Sequence, residues 1–173
     1  MCRPNPDEEN EQREENLRLT LIAVGHISEP FIRQGCQIYE QRIIHYANFR
    51  SLIIPEEKIK EVKKKELILS KEGQKIREKL PKGAFKVALD EKGKLFTSEG
   101  LAAFLGKLAQ EPPKEIVFIL GGPLGLEEGL KKESDLLLSL SPLTLTHGLA
   151  RMLLLEQIYR AFTILRGEPY HKK

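Results

Sequence analysis

Residues 116–125 read Ile116-Val117-Phe118-Ile119-Leu120-Gly121-Gly122-Pro123-Leu124-Gly125, and this stretch decides the fold. Its first five residues, mostly β-branched or aromatic, fit a strand buried on both faces, as strands of a parallel sheet are. A glycine-rich turn follows at once. Its glycines lack the G-x-G-x-x-G spacing of the dinucleotide fingerprint, and Pro123 removes an amide that a phosphate cradle needs. Two readings stay open: a tight strand-to-loop turn, or a place where backbone comes close to a ligand because glycine has no Cβ. Downstream, Leu140-Ser141-Pro142-Leu143-Thr144-Leu145 reads as a loop and His147 to Leu165 as a long helix. Strand, turn, loop and helix outline a ligand pocket, since open α/β sheets hold ligands beyond the carboxyl ends of their strands.

Working outward, Leu17 to Val24 reads as a first strand closed by Gly25. Ser28 is a good N-cap for a helix with Glu29 and Pro30 in its first turn, running to about His45. Phe49 to Ile54 is a second strand stopped by Pro55. A lysine-rich run at 56–66 (Lys58, Lys60, Lys63, Lys64, Lys65) is a solvated face or, alternatively, a phosphate-contacting patch. Residues 65–80 look helical, Ala84 to Asp90 is a third strand, and Glu91-Lys92-Gly93-Lys94 a turn. Ser98 caps another helix, which Pro112-Pro113 stops. A short helix at 126–133 and a fifth strand at Leu136 to Leu140 complete the pattern. Strands alternating with helices at this spacing give an α/β fold, with a mainly parallel sheet flanked by helices.

The last helix is apolar around well over half its circumference, through Leu149, Met152, Leu153, Leu154, Leu155, Ile158, Tyr159, Phe162, Ile164 and Leu165. Such a helix belongs in a large core or a subunit interface. A chain of 173 residues can scarcely cover it alone, so a dimer is expected. Its polar residues fall into two i,i+4 pairs, His147 with Arg151 and Glu156 with Arg160. A histidine at a helix start has its charged form disfavoured by the dipole, which suits a base or a capping residue. Glu156–Arg160 reads equally as a surface salt bridge or, if buried beside a subunit boundary, as the holder of a phosphate clamp. Gly167 and Pro169 end the helix, and the tail Tyr170-His171-Lys172-Lys173 is equipped to stack on a base and touch phosphates.

Net charge is +3, but the first sixteen residues hold six acids against two arginines, so the remainder carries +7. That permits an anionic partner such as RNA without requiring one. Residues 1–16 read as a disordered acidic extension with no apolar signal segment, and residues 17–173 as one domain. Two cysteines, Cys2 and Cys36, have no metal-like spacing and no disulfide framework. Expected therefore are a cytoplasmic location, no membrane span and no metal.

The segments LTLIAVG (19–25), KEGQKI (71–76), LDEKGK (89–94), ILGGPLGL (119–126), LSLSPLTLTHGLAR (138–151) and LLEQIYRAFTILRGEPYHK (154–172) together resemble the ribosomal RNA large subunit methyltransferase H family of the SPOUT methyltransferases. That resemblance covers residues 17–173 and implies a deep trefoil knot in the C-terminal part of the sheet. It implies S-adenosylmethionine bound by Leu89, Gly121, Leu140, Ser141, Pro142, Leu143, Thr144 and Leu145. It further implies a homodimer that methylates N3 of a pseudouridine in 23S rRNA on the ribosome. Carried over by motif, Arg160 positions RNA or stabilises charge, His171 is a base or substrate contact, and His147 is a third catalytic candidate. Arg151, Tyr159, Tyr170 and Lys172 are the candidate RNA contacts; many relatives have arginine where Lys172 stands, so bidentate phosphate geometry is lost there. Two alternatives stand beside this one: a non-catalytic dimeric RNA-binding module of the same fold, and a small-molecule nucleotide-binding enzyme.

Overall fold

The computed structural model describes residues 17–57, 65–110 and 115–172. The acidic extension, the lysines at 58, 60, 63 and 64, and the Pro112-Pro113 stop lie outside the described residues. Five strands, β1 (Arg18–Val24), β2 (Asn48–Ile54), β3 (Phe85–Leu95), β4 (Glu115–Leu120) and β5 (Leu136–Ser139), form one sheet in the order β2-β1-β4-β3-β5. Every strand pairing among the described residues is parallel. Interleaved are α1 (Pro30–Ile43), α2 (Lys65–Arg77), α3 (Ser98–Gln110), α4 (Glu128–Lys132) and α5 (His147–Leu165).

Two cores explain the nearly continuous apolar strands. In β1, Leu19, Leu21 and Ala23 face one cluster while Ile22 and Val24 face the other; β4 alternates likewise between Ile116, Phe118, Leu120 and Val117, Ile119. The first cluster takes residues from α1, α3 and α5, the second from α2 and α4. A strand covered on both faces needs apolar side chains at both parities.

Three local expectations are corrected. Glu29, not Ser28, is the N-cap of α1 and gives no side-chain cap bond, and regular helix stops at Ile43. At α3 the cap is Thr97, whose Oγ1 accepts from the Gly100 amide at 3.0 Å; Ser98 instead donates its hydroxyl to Gln157 Oε1 at 2.8 Å. The third strand does not end in a turn at 91–94. It continues to Leu95 across a bulge, Leu138 of β5 pairing first with Leu89 and again with Lys94. Between those two pairings residues 90–93 bulge out, and there Asp90 Oδ1 accepts from the Lys92 amide at 2.8 Å. Only glycine fits at 93, because a Cβ there would lie 2.7 Å from the main chain of Leu137 and Leu138.

The last helix is also better covered than its composition suggested. Leu154, Leu155, Ile158, Ala161 and Phe162 have no exposed surface within the single chain, because α1 and α3 both pack on α5. Exposed apolar side chains include Phe31 (68%) and Ile38 on α1 and Leu149 at the start of α5, with Leu67, Leu95 and Leu143 exposed elsewhere on the surface.

Candidate functional site

The carboxyl ends of β3, β4 and β5 converge on a cavity of about 490 Å³. That is the size of an ordinary small-molecule site, and it lies where a parallel sheet is expected to hold one. Leu89 comes from β3, Leu120 and the Gly121–Gly125 turn from β4, Leu138 and Ser139 from β5, and the irregular run 140–146 closes the far side. His147 and Ala150, at the start of α5, stand in its wall.

The turn is built by glycine. Gly125 donates its amide to the Gly122 carbonyl at 3.0 Å, and a Cβ on Gly121 would meet the Gly125 carbonyl oxygen at 2.3 Å. No other residue allows this return of the chain. Opposite it, Ser141 Oγ accepts from the Leu143 amide at 2.9 Å and Ser139 Oγ donates to the Ser141 carbonyl at 3.2 Å, which curls the loop. Thr146 caps α5 by accepting from the Leu149 amide. The wall is therefore leucine side chains alternating with main chain outside any strand ladder. Leu143, 74% exposed, stands at the mouth.

Of the eight residues expected to hold a methyl donor, seven line this cavity: Leu89, Gly121, Leu140, Ser141, Leu143, Thr144 and Leu145. Pro142 is exposed and does not line it. Sequence reasoning missed Asp90, Glu91, Ser139 and Thr146, which also line the cavity, although Asp90 and Glu91 directly follow Leu89. Burial on its own raises the Asp90 carboxyl, but the Lys131 ammonium at 2.6 Å and the Lys92 amide outweigh it and hold the group below its ordinary range. The site thus has an ionised carboxylate on one wall.

The polar pairs on α5 part company. His147 lines the cavity, its Nε2 3.5 Å from the His26 carbonyl oxygen. Arg151, expected to touch RNA, is instead 4% exposed, with Nη2 donating to the Gly25 carbonyl at 2.8 Å and Nε left without a partner. Its burial, which disfavours the charged form, is offset in part by the nearby Cys36 and Glu40. Arg151 pins the loop after β1 and is not presented to a macromolecule.

Arg160, Tyr159, Tyr170 and His171 form a second group at the opposite end of α5. Arg160 Nε donates to Glu156 Oε1 at 3.0 Å, and its guanidinium stacks over the Tyr170 ring at 4.7 Å. Tyr170 donates its hydroxyl to Glu156 Oε1 at 3.1 Å and meets the Tyr159 ring edge-on at 4.7 Å. Burial first, then its bond with Tyr39 and the charge of Glu156, raise the Tyr170 hydroxyl above its ordinary range. His171 lies 3.0 Å from Glu99, while Lys172 is exposed. Thirteen residues of helix separate His147 from Arg160, about 20 Å at 1.5 Å per residue. Within one chain the cavity and the tail group stand apart.

Among the described residues no group of three or more His, Cys, Asp or Glu is placed to hold a metal ion, and no helix is long and apolar enough to cross a membrane.

Comparison with known proteins gives the family. A model described as predicted SPOUT methyltransferase matches residues 17–171. Ribosomal RNA large subunit methyltransferase H of Syntrophotalea carbinolica is 43% identical over 157 residues, which is 91% of this chain and 100% of that protein. Proteins of the same name from Moorella thermoacetica and Listeria monocytogenes are 43% and 40% identical, each over 90% of this chain and at least 99% of theirs. Among solved structures, the SpoU methyltransferase AviRb from Streptomyces viridochromogenes aligns with 95% of this chain and 66% of its own, at TM-score 0.44 and 14% identity. A likeness that loose fixes neither the topology in detail nor the site. The match to the family model and to relatives of full length is decisive: the chain belongs to the SPOUT methyltransferase family.

Proposed function

We propose that this protein uses S-adenosylmethionine to methylate N3 of a pseudouridine in 23S rRNA on the ribosome, working as a homodimer. One observation carries the reading: a cavity at the carboxyl ends of β3, β4 and β5 gathers seven of the eight residues expected to hold the donor. The names of the relatives point to large-subunit ribosomal RNA as the substrate class. Leucine walls suit the adenine and ribose faces, loop main chain can read the adenine edge, and the Asp90 carboxylate suits a cationic or hydroxyl-bearing group. The turn after β4 and the loop after β5 meet beside β3 at this cavity, and a trefoil knot in this part of the chain is part of the proposal.

S-adenosylmethionine supplies an activated methyl group on a sulfonium. The chain must align that group with N3 and help the imide proton leave. His147, in the cavity wall, is the candidate to accept the proton, and Arg160 to stabilise the negative charge left on the imide. Because the helix keeps these two about 20 Å apart within a chain, the tail of one protomer completes the cavity of its partner. Exposed Phe31, Ile38 and Leu149 supply apolar surface for that association. Tyr159, Tyr170 and Lys172 then face the RNA.

The test is incubation with labelled S-adenosylmethionine and ribosomes that lack this methyl group, followed by mapping of the modified nucleoside. Labelled 3-methylpseudouridine in 23S rRNA is the expected result. Donor binding without transfer to any RNA overturns it in favour of a non-catalytic RNA-binding module.

A further inference from the structure

At the far end of α5, six side chains close into a ring. Ser98 Oγ donates to Gln157 Oε1 at 2.8 Å, and Gln157 Nε2 donates to Glu156 Oε2 at 2.6 Å. Arg160 Nε donates to Glu156 Oε1 at 3.0 Å, and Arg160 Nη1 lies 3.4 Å from His171 Nδ1. His171 Nε2 lies 3.0 Å from Glu99 Oε1, and Glu99 follows Ser98 in the first turn of α3, which closes the circuit.

The chemistry of each partner fixes the proton positions. A guanidinium only donates, so Nδ1 of His171 must accept. Its proton therefore sits on Nε2, where it meets a carboxylate that accepts. That carboxylate is kept ionised by its own main-chain amide and then by His171, which hold Glu99 below its ordinary range. The opposite tautomer points an N–H at the N–H of Arg160 and leaves Nε2 and Glu99 as two facing acceptors.

We propose that Glu99 is a positioning residue: by accepting from His171 Nε2 it holds the ring with its accepting Nδ1 against Arg160, and so sets the guanidinium that serves the acceptor base. The role rests on the function proposed above. It also changes the part played by His171. With both ring nitrogens engaged, His171 holds Arg160 in place and does not take the proton of the imide. Glu156 braces the guanidinium from the other side, so Arg160 is gripped between two groups and loses little freedom when substrate arrives.

Two substitutions separate the acceptor from the side chain's bulk. Glu99→Leu removes the acceptor; Glu99→Gln keeps an Oε1 for the Nε2 proton. The Glu99 side chain is 53% exposed, so neither change threatens the fold. In the ribosome assay, Glu99→Leu is expected to lower kcat roughly ten- to a hundredfold, with donor affinity by calorimetry unchanged. Glu99→Gln should recover most of that loss. Adding His171→Ala to Glu99→Leu should cost little more, since both break the same link. Wild-type kcat in Glu99→Leu, or a Gln variant no better than the Leu variant, overturns the proposal. Nitrogen NMR of His171 reads the ring without reference to activity. Wild-type protein should show the Nε2–H form and Glu99→Leu a mixture of tautomers; a dominant Nδ1–H form in wild type overturns it. If wild type shows the Nε2–H form but methylates no ribosome, the ring stands and the proposed function fails.

Discussion

Gly121 and Glu72 show how much can rest on one side chain. A methyl group on Gly121 would come within 2.3 Å of the Gly125 carbonyl, so Gly121→Ala must open the turn that forms the cavity wall. Its expected effect is a rise of tenfold or more in the dissociation constant for S-adenosylmethionine, about 1.4 kcal/mol, read by calorimetry. Glu72 is 4% exposed and accepts from the Glu57 amide at 3.0 Å, with Oε2 directed toward Gly122. Burial, above all, raises its carboxyl, and the neighbouring Glu56 and Glu57 add to this. A folded-state value above the unfolded one means the folded protein keeps the proton longer, so stability falls as pH rises through the carboxylate range. Glu72→Gln keeps an acceptor for the Glu57 amide and abolishes the penalty. The variant should melt above wild type at pH 7 and match it near pH 4; a lower melting temperature at pH 7 contradicts this account.

Among the elements, α5 carries part of the core, one wall of the cavity and the Arg160 group. Phe162 has no exposed surface and stacks on Tyr46 with ring centres 5.5 Å apart. Phe162→Ala is expected to cost about 3–5 kcal/mol, measured as a shift in the urea midpoint with unchanged slope. The elements were largely legible in the sequence because strands buried on both faces read as near-continuous apolar runs, as in Leu19 to Val24, broken only by Thr20, and Ile116 to Leu120. Two things were not. The continuation of β3 past Asp90 depends on pairing with β5, some forty residues on, whereas Lys92-Gly93 taken locally is a turn. Arg151 carries the same charge as any surface arginine, and only the packing of α1 against α5 shows it to be buried. The cavity residues were legible through family motifs in 89–94, 119–126 and 138–151. The bond from Glu99 to His171 spans 72 residues and has no local signature.

At the scale of the molecule, the proposal that the tail group completes the cavity of a partner makes a test of assembly. Leu140→Arg fills the donor cavity and Arg160→Ala removes the tail cation; each alone should be nearly inactive. If the tail works on the partner's cavity, randomly re-associated mixtures hold half mixed dimers, each with one intact site. Activity should then recover to roughly a quarter of wild type. A mixture as inactive as its parents excludes sites shared between protomers.

The sheet order has a further effect, on the route to the native state. β1 lies between β2 and β4, and its pairing with β4 joins Arg18 to Glu115. A nascent chain can form the β1–β2 unit early, but one edge of β1 has no partner until synthesis has passed residue 120. Closing so long a loop is entropically slow. Refolding from urea should take milliseconds to seconds, and a chain truncated after β3 should aggregate through the bare edge of its first strand.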